Sequence, residues 1–144
     1  LVAETQAELP AAPPRYLMGL GKPEDIVNAI ALGVDLFDCV VPTRHARHGL
    51  LYTSEGVLAI RNARYREDFA AIDPRCDCRA CARFSRAYLR HLFQAGEALG
   101  ARLATLHNLR FYMRLLAGAR VAISAGALPA FRGEILGRVA RRVD

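Results

Sequence analysis

The stretch Asp35-Leu36-Phe37-Asp38-Cys39-Val40-Val41-Pro42-Thr43-Arg44 decides how the chain is read, because it sets one carboxylate inside a run patterned as a buried strand. Leu36 to Val41 is apolar on both faces apart from Asp38, which fits a parallel strand covered by helices rather than an antiparallel strand with one wet face. Burying an ionised carboxylate without partners costs several kcal/mol. Asp38 is therefore expected at the mouth of a cavity, well hydrogen-bonded, or kept for its chemistry. The basic segment Thr43-Arg44-His45-Ala46-Arg47-His48 follows at once, so a candidate nucleophile stands beside candidate phosphate or base contacts.

Working upstream, Arg15-Tyr16-Leu17-Met18-Gly19-Leu20-Gly21 is a short apolar run closed by glycines. Lys22-Pro23-Glu24-Asp25 then places a proline and two acids where the first turn of a helix favours them. Ile26, Ala29, Ile30 and Leu32 continue an apolar face, and Gly33 is placed to end the helix. Strand, helix, strand is a βαβ unit, and in such units the loops after the strands share one edge of the sheet. Gly19 to Asp25 and Pro42 to Gly49 are thus expected side by side, near Asp38. Leu1 to Pro14, rich in Ala, Glu and Pro, shows no clear periodicity and reads as a connector.

Downstream, Leu50 to Thr53 and Val57 to Ile60 flank Ser54-Glu55-Gly56 and read as a hairpin. Arg61, Arg64 and Arg66 lie in the polar stretch that follows. Phe84, Tyr88, Leu89, Leu92, Phe93 and Leu99 form the stripe of a helix that breaks near Gly100. A second helix is expected from about Arg102 to Leu116 and a third from about Val121, with a basic, amphipathic tail from Arg132 to Asp144. One crossover and a hairpin do not make a buried parallel sheet. Further strands are expected upstream or from a partner, and a start at Leu1 without methionine suggests a fragment.

The chain has 144 residues, 53% of them hydrophobic, enough for one core. The net charge of +6 comes almost wholly from arginine, Lys22 being the sole lysine. That favours a polyanionic partner, although a solvated basic face has the same composition. No run approaches the roughly 20 apolar residues of a membrane span. No signal-peptide pattern opens the chain, so a soluble cytoplasmic protein is expected.

Cys76-Asp77-Cys78-Arg79-Ala80-Cys81 packs three thiols into one turn, poor spacing for a disulfide framework and good spacing for a metal. Tetrahedral zinc held by three thiolates and an imidazole needs one more ligand. His45, His48, His91 and His107 are the candidates, and spacing favours the helical pair His91 and His107 without choosing between them. Three thiolates leave one negative charge in excess over Zn²⁺, and Arg75, Arg79 and Arg83 are nearby in sequence. A closed four-ligand site reads as structural, holding the hairpin to the helices.

Taken together, Tyr16-Leu17-Met18-Gly19-Leu20-Gly21-Lys22-Pro23, Asp35 to Arg44, Ile60-Arg61-Asn62-Ala63, Cys76-x-Cys78-x2-Cys81, Ser85-Arg86-Ala87-Tyr88 and His107-Asn108 resemble the C-terminal part of the bacterial tRNA-guanine transglycosylases, the queuine tRNA-ribosyltransferases. The resemblance implies an α/β fold, the C-terminal portion of a TIM (β/α)8 barrel with an inserted zinc-binding subdomain of hairpin plus helices. Residues 1–14 would be a connector or incomplete barrel segment, and 15–48 the last βαβ unit with active-site loops. The zinc-binding subdomain would span 49–120, and 121–144 would form a C-terminal helix and basic tail. One structural Zn²⁺ per chain would be held by Cys76, Cys78, Cys81 and His107.

The same resemblance makes Asp38 the nucleophile of a base exchange. It implies that guanine at the wobble position of tRNAs with a GUN anticodon is replaced by the queuosine precursor 7-aminomethyl-7-deazaguanine. Gly19, Leu20, Gly21, Lys22, Pro23, Glu24 and Asp25, with Thr43, Arg44, His45, Ala46 and Arg47, would contact RNA. Met18 and Gly19 would line the base pocket, although core filling is the plainer role for Met18. The resemblance also implies a homodimer of the full-length enzyme, with no membrane partner. Its second catalytic aspartate and the acid that reads the base match nothing in this chain, so the 144 residues alone are expected to be inactive or to lack a closed barrel. The competing expectation is a non-catalytic zinc and tRNA-binding accessory subunit, and the intact surroundings of Asp38 speak for the enzyme.

Overall fold

The computed structural model of the chain describes residues 2–10 and 12–143, and of Gln6 the backbone alone. Parts of the expected connector and tail, at Leu1, Ala11 and Asp144, lie outside the described residues. The connector contains a helix, α1 (Val2–Glu8). Next come β1 (Tyr16–Met18), α2 (Pro23–Ala31) and β2 (Leu36–Asp38), with Tyr16 paired to Leu36, Leu17 to Phe37 and Met18 to Asp38 in parallel. Helix α2 begins with Pro23 in its first turn and ends at Gly33, whose φ of 88° supplies the left-handed turn that glycine adopts without strain.

The strand expected to run to Val41 ends at Asp38. Val41–Arg47 is a helix, α3, with Pro42 in its first turn, where the missing N–H costs nothing and the fixed φ is already helical. The expectation of a buried strand also fails within this chain. Tyr16, Leu36 and Met18 are 55%, 53% and 73% exposed, because a two-stranded sheet offers little cover.

The hairpin is present as β3 (Leu50–Tyr52) and β4 (Val57–Ala59), antiparallel, with Leu51 opposite Leu58. The C-terminal segment joins it, for Val57 N donates to Arg141 O at 2.9 Å and Val143 N to Val57 O at 3.0 Å. A 3-10 turn (Ala63–Glu67), α4 (Arg79–Arg83) and α5 (Arg86–Gln94) follow.

The helix break lies at Gly96, with φ 73°, and not at Gly100. Helix α6 (Ala98–Ser124) then runs 27 residues through both segments expected to be separate, and α7 (Leu128–Val139) closes the chain. Gly100 and Gly118 serve packing rather than termination. A Cβ on Gly100 would lie 3.0 Å from Leu92 Cβ, and one on Gly118 would lie 2.9 Å from Phe131 Cε2 on α7. Removing a side chain at each point lets the neighbouring helix approach α6 closely.

Helix α6 is the pillar between two apolar clusters. Leu103 and Ala104 pack with Leu51, Leu58, Ile60, Tyr65, Ile72, Leu89 and Phe93. Phe111, Tyr112 and Leu115 pack with Ile26, Val27, Tyr52, Val57 and Ile135. Among the described residues no helix is long and apolar enough to cross a membrane.

Candidate functional site

Asp38 is the last residue of β2, and its carboxylate is exposed at the strand's C-terminal end. Strand alternation and the parallel register put Tyr16 and Met18 of β1 beside it, and the Tyr16 hydroxyl donates to Asp38 Oδ2 at 2.9 Å. That bond to the carboxylate raises the pKa of the Tyr16 phenol, which keeps it a donor. Gly19, with φ 82°, turns the chain off β1 and donates its N–H to Asp38 O at 2.7 Å. Of the two segments expected to be neighbours, the first packs against the link that leads into the second, for an added Cβ on Gly21 would lie 2.5 Å from the Cβ of Cys39, between β2 and α3. Tyr112, reaching from α6, donates its hydroxyl to Gly21 O at 2.8 Å.

The residues expected to contact RNA fall into two groups. Gly19, Lys22, Arg44 and Arg47 are exposed, and Leu20, Glu24, Asp25, Thr43 and His45 are half-buried. Gly21, Pro23 and Ala46 are buried beneath them. Thr43 Oγ1 donates to Val40 O at 3.1 Å, tying the first turn of α3. His45 Nδ1 lies 2.6 Å from the Tyr52 hydroxyl, and burial followed by Arg44 and Lys22 lowers its pKa. His48 Nδ1 bonds to Arg44 O at 2.8 Å.

Cys76, Cys78, Cys81 and His107 bring their ligand atoms within 4.8 Å of one another. Cys78 caps α4, accepting from Cys81 N, and His107 is fully buried on α6. His107 Nδ1 stands 3.3 Å from Cys81 Sγ and 3.7 Å from Cys78 Sγ. Metal bonds of about 2.0–2.3 Å in a tetrahedron give ligand separations of roughly 3.5–3.8 Å, so the donors fit one ion.

The second nitrogen of His107 strengthens the fit. Nε2 lies 2.8 Å from Tyr52 O, an acceptor only, so Nε2 carries the proton and the Nδ1 lone pair faces the thiols. Hydrogen bonding within the cluster drives the Cys78 thiol down and the Cys81 thiol up. Burial opposes a charge on His107, but the Cys76 and Cys78 sulfurs beside it raise its pKa to about 9, so the cluster favours positive charge at Nδ1. A divalent cation held there would supply that charge in place of a proton.

The structure resolves the histidine that spacing left open, since His91 is exposed and His45 and His48 are engaged elsewhere. Of the nearby arginines, Arg75 donates to Ser54 O at 3.2 Å, while Arg79 and Arg83 are exposed. Arg110 on α6 forms a two-pronged pair with Asp77 at 2.7 Å, which raises its pKa.

Two residues at the site, Asn108 and Tyr16, stand in the quoted motifs but were given no role by the sequence reading. Asn108 follows His107 and is fully buried; its Oδ1 accepts from Tyr52 N at 3.2 Å, and its Nδ2 donates to Pro42 O and Leu50 O, both at 3.0 Å. Two adjacent residues of α6 therefore join the metal cluster, the hairpin and the segment after Asp38. Tyr16 was findable from the two-residue period it shares with Met18. Asn108 gave one signal, a polar residue on the apolar face between Ala104 and Phe111.

A protein-family model described as Queuine tRNA-ribosyltransferase matches residues 1–141. A queuine tRNA-ribosyltransferase of Shewanella frigidimarina is 57% identical over 136 residues, covering 94% of this chain and 36% of the relative. One of Shewanella sp. strain ANA-3 is 59% identical over 124 residues, covering 86% and 33%. One of Nitrosomonas europaea is 55% identical over 138 residues, covering 96% and 37%. The chain spans about a third of the length of the curated relatives it matches.

Proposed function

The chain belongs to the queuine tRNA-ribosyltransferase family, and from that membership we propose that it supplies the nucleophile and RNA-contacting loops of a tRNA-guanine transglycosylase. The single observation that carries the reading is Asp38, an exposed carboxylate at a parallel strand's C-terminal end, oriented by Tyr16 and flanked by Met18 and Gly19. Sites in α/β sheets form at that end of the strands.

In the proposed reaction the Asp38 carboxylate attacks ribose C1′ of the wobble guanosine in a tRNA with a GUN anticodon. The C1′–N bond breaks through an oxocarbenium-like transition state and guanine leaves with the electron pair. The ring nitrogen of the incoming 7-aminomethyl-7-deazaguanine then displaces the aspartate from C1′ and gives up its proton, which balances the proton taken up by the departing guanine, and two inversions retain configuration. Tyr16 holds the carboxylate in line, and Met18 and Gly19 border the departing base. Arg44 and Arg47 pair with phosphate or stack on splayed bases, and Lys22 adds charge from the neighbouring loop.

Cys76, Cys78, Cys81 and His107 would hold one zinc ion, whose chemistry there is structural, since four protein donors leave no open position. The remaining strands of a TIM barrel would cover the exposed Tyr16, Met18 and Leu36. The division at residues 14, 48 and 120 follows the same reading. A homodimer is proposed as well, supported by Phe69, 81% exposed, near the stacked pair Phe84 and Tyr88. A tRNA substrate would place the protein in the cytoplasm.

The test is a chimaera in which this chain replaces the matching 36% of the Shewanella frigidimarina relative. Labelled guanine exchange into tRNA, and a covalent RNA adduct resistant to denaturant, are expected, and Asp38→Asn should abolish both. Exchange undiminished in Asp38→Asn would overturn the assignment.

A further inference from the structure

Strand β3 has one edge that its hairpin leaves bare. Gly49, Leu51 and Thr53 bond to β4 and its flanks, since Ile60 N donates to Gly49 O and Thr53 N to Gly56 O, with Leu51 opposite Leu58. The backbone polar groups of Leu50 and Tyr52 alternate with these and face away from β4, so they need partners elsewhere. Helix α6 pairs three of them with two adjacent side chains. Asn108 Nδ2 donates to Leu50 O at 3.0 Å, Tyr52 N donates to Asn108 Oδ1 at 3.2 Å, and His107 Nε2 lies 2.8 Å from Tyr52 O.

The Asn108 amide has one proton more than the strand edge takes, and that proton goes to Pro42 O, at 3.0 Å, in the first turn of α3. Both carbonyls can only accept and the Tyr52 N–H can only donate, so the partners fix which way the amide points. Asn108 is fully buried, and no bulk water stands by to replace a lost partner. Ala46 packs the far end of α3 into the core; Asn108 holds the near end.

We propose that Asn108 is a positioning residue that fixes α3 to the edge of the hairpin, so that Arg44 and Arg47 stand at a set place relative to Asp38. Helix α3 begins at Val41, three residues after Asp38, and both arginines are exposed on it. Asp38 is held from the other side, by the pairing of β2 with β1 and by Tyr16. Losing Asn108 therefore frees the arginine-bearing helix before it frees the carboxylate. The consequence for tRNA rests on the proposed function, because it assumes that Arg44 and Arg47 contact RNA.

The experiment uses the chimaera, and its first arm needs no variant. In native-state hydrogen exchange the Tyr52 amide, whose acceptor is Asn108 Oδ1, should open together with the amides of α3. In the second arm Asn108→Ser, which keeps a hydroxyl for one partner, should speed exchange across α3 and raise KM for tRNA about tenfold, with a smaller change in kcat. Leu89→Ala truncates the core on α5 and is the control for lost stability alone; it should leave KM unchanged. Zinc content should be the same in all three proteins. A Tyr52 amide that opens independently of α3, an unmoved KM in Asn108→Ser, an equal rise in Leu89→Ala, or zinc lost from Asn108→Ser would overturn the positioning role. An unsubstituted chimaera that exchanges no guanine would instead sink the transglycosylase reading, while hydrogen exchange still decides whether Asn108 holds α3.

Discussion

The Tyr16 hydroxyl reaches Asp38 Oδ2 at 2.9 Å across the parallel pair, and it is the one side-chain donor to that carboxylate among the described residues. A charge-assisted hydrogen bond fixes the rotamer of the carboxylate and the direction of its free oxygen. Tyr16→Phe keeps the ring and removes that restraint. We expect kcat for guanine exchange in the chimaera to fall by about threefold to thirtyfold with KM for tRNA little changed. A KM effect without a kcat effect would place Tyr16 in binding instead.

Gly21 is needed for space rather than for an unusual backbone. An added methyl would stand 2.5 Å from Cys39 Cβ and 2.8 Å from Cys39 Sγ, pushing apart the two loops at Asp38. Gly21→Ala should cost about 1–3 kcal/mol in denaturant unfolding and depress exchange. Cys39→Ala should not relieve it, because the closest contact is to Cβ, whereas Cys39→Gly should restore part of the loss. Equal rescue by both would mean that the sulfur, not the backbone spacing, was limiting.

What the sequence made legible was short-range. The βαβ order, the hairpin around Gly56 and the cysteine cluster all follow from spacing within a few residues. Two helical histidines were equivalent by spacing; the packing of α6 against β3 turns His107 inward, while His91 lies on the exposed side of α5. Gly100 read as a stop because glycine weakens a helix, but close packing against Leu92 overrode the propensity. The Tyr16 to Asp38 bond depends on sheet register, and Asn108's partners lie 56 to 66 residues away, so no local pattern announces them.

The metal cluster should carry about one zinc per chain in the purified chimaera. His107→Ala and Cys78→Ser should each remove it, measured by elemental analysis, and should lower the melting temperature together with any protection of the β3–β4 hairpin from hydrogen exchange. His91→Ala should leave metal and stability unchanged. Retained metal in His107→Ala would contradict the ligand set.

Asp73 ties the hairpin turn to the cysteine segment. Its carboxylate is buried and accepts from Ser54 Oγ at 2.6 Å, Ser54 N at 2.9 Å and Arg75 N at 2.9 Å. Burial alone would raise its pKa, but these bonds hold it below the usual carboxylate value. A carboxylate whose folded pKa is depressed adds stability above its unfolded pKa, near 4, and that contribution is lost as pH falls through the folded value. Asp73→Asn turns an N–H toward one of these donors and should cost about 1–3 kcal/mol at pH 7. The gap in unfolding free energy between the two proteins should narrow below about pH 4. Comparing the pair cancels any acid release of metal that they share, so a gap that stays constant from pH 7 to pH 3 would show that the Asp73 charge contributes nothing.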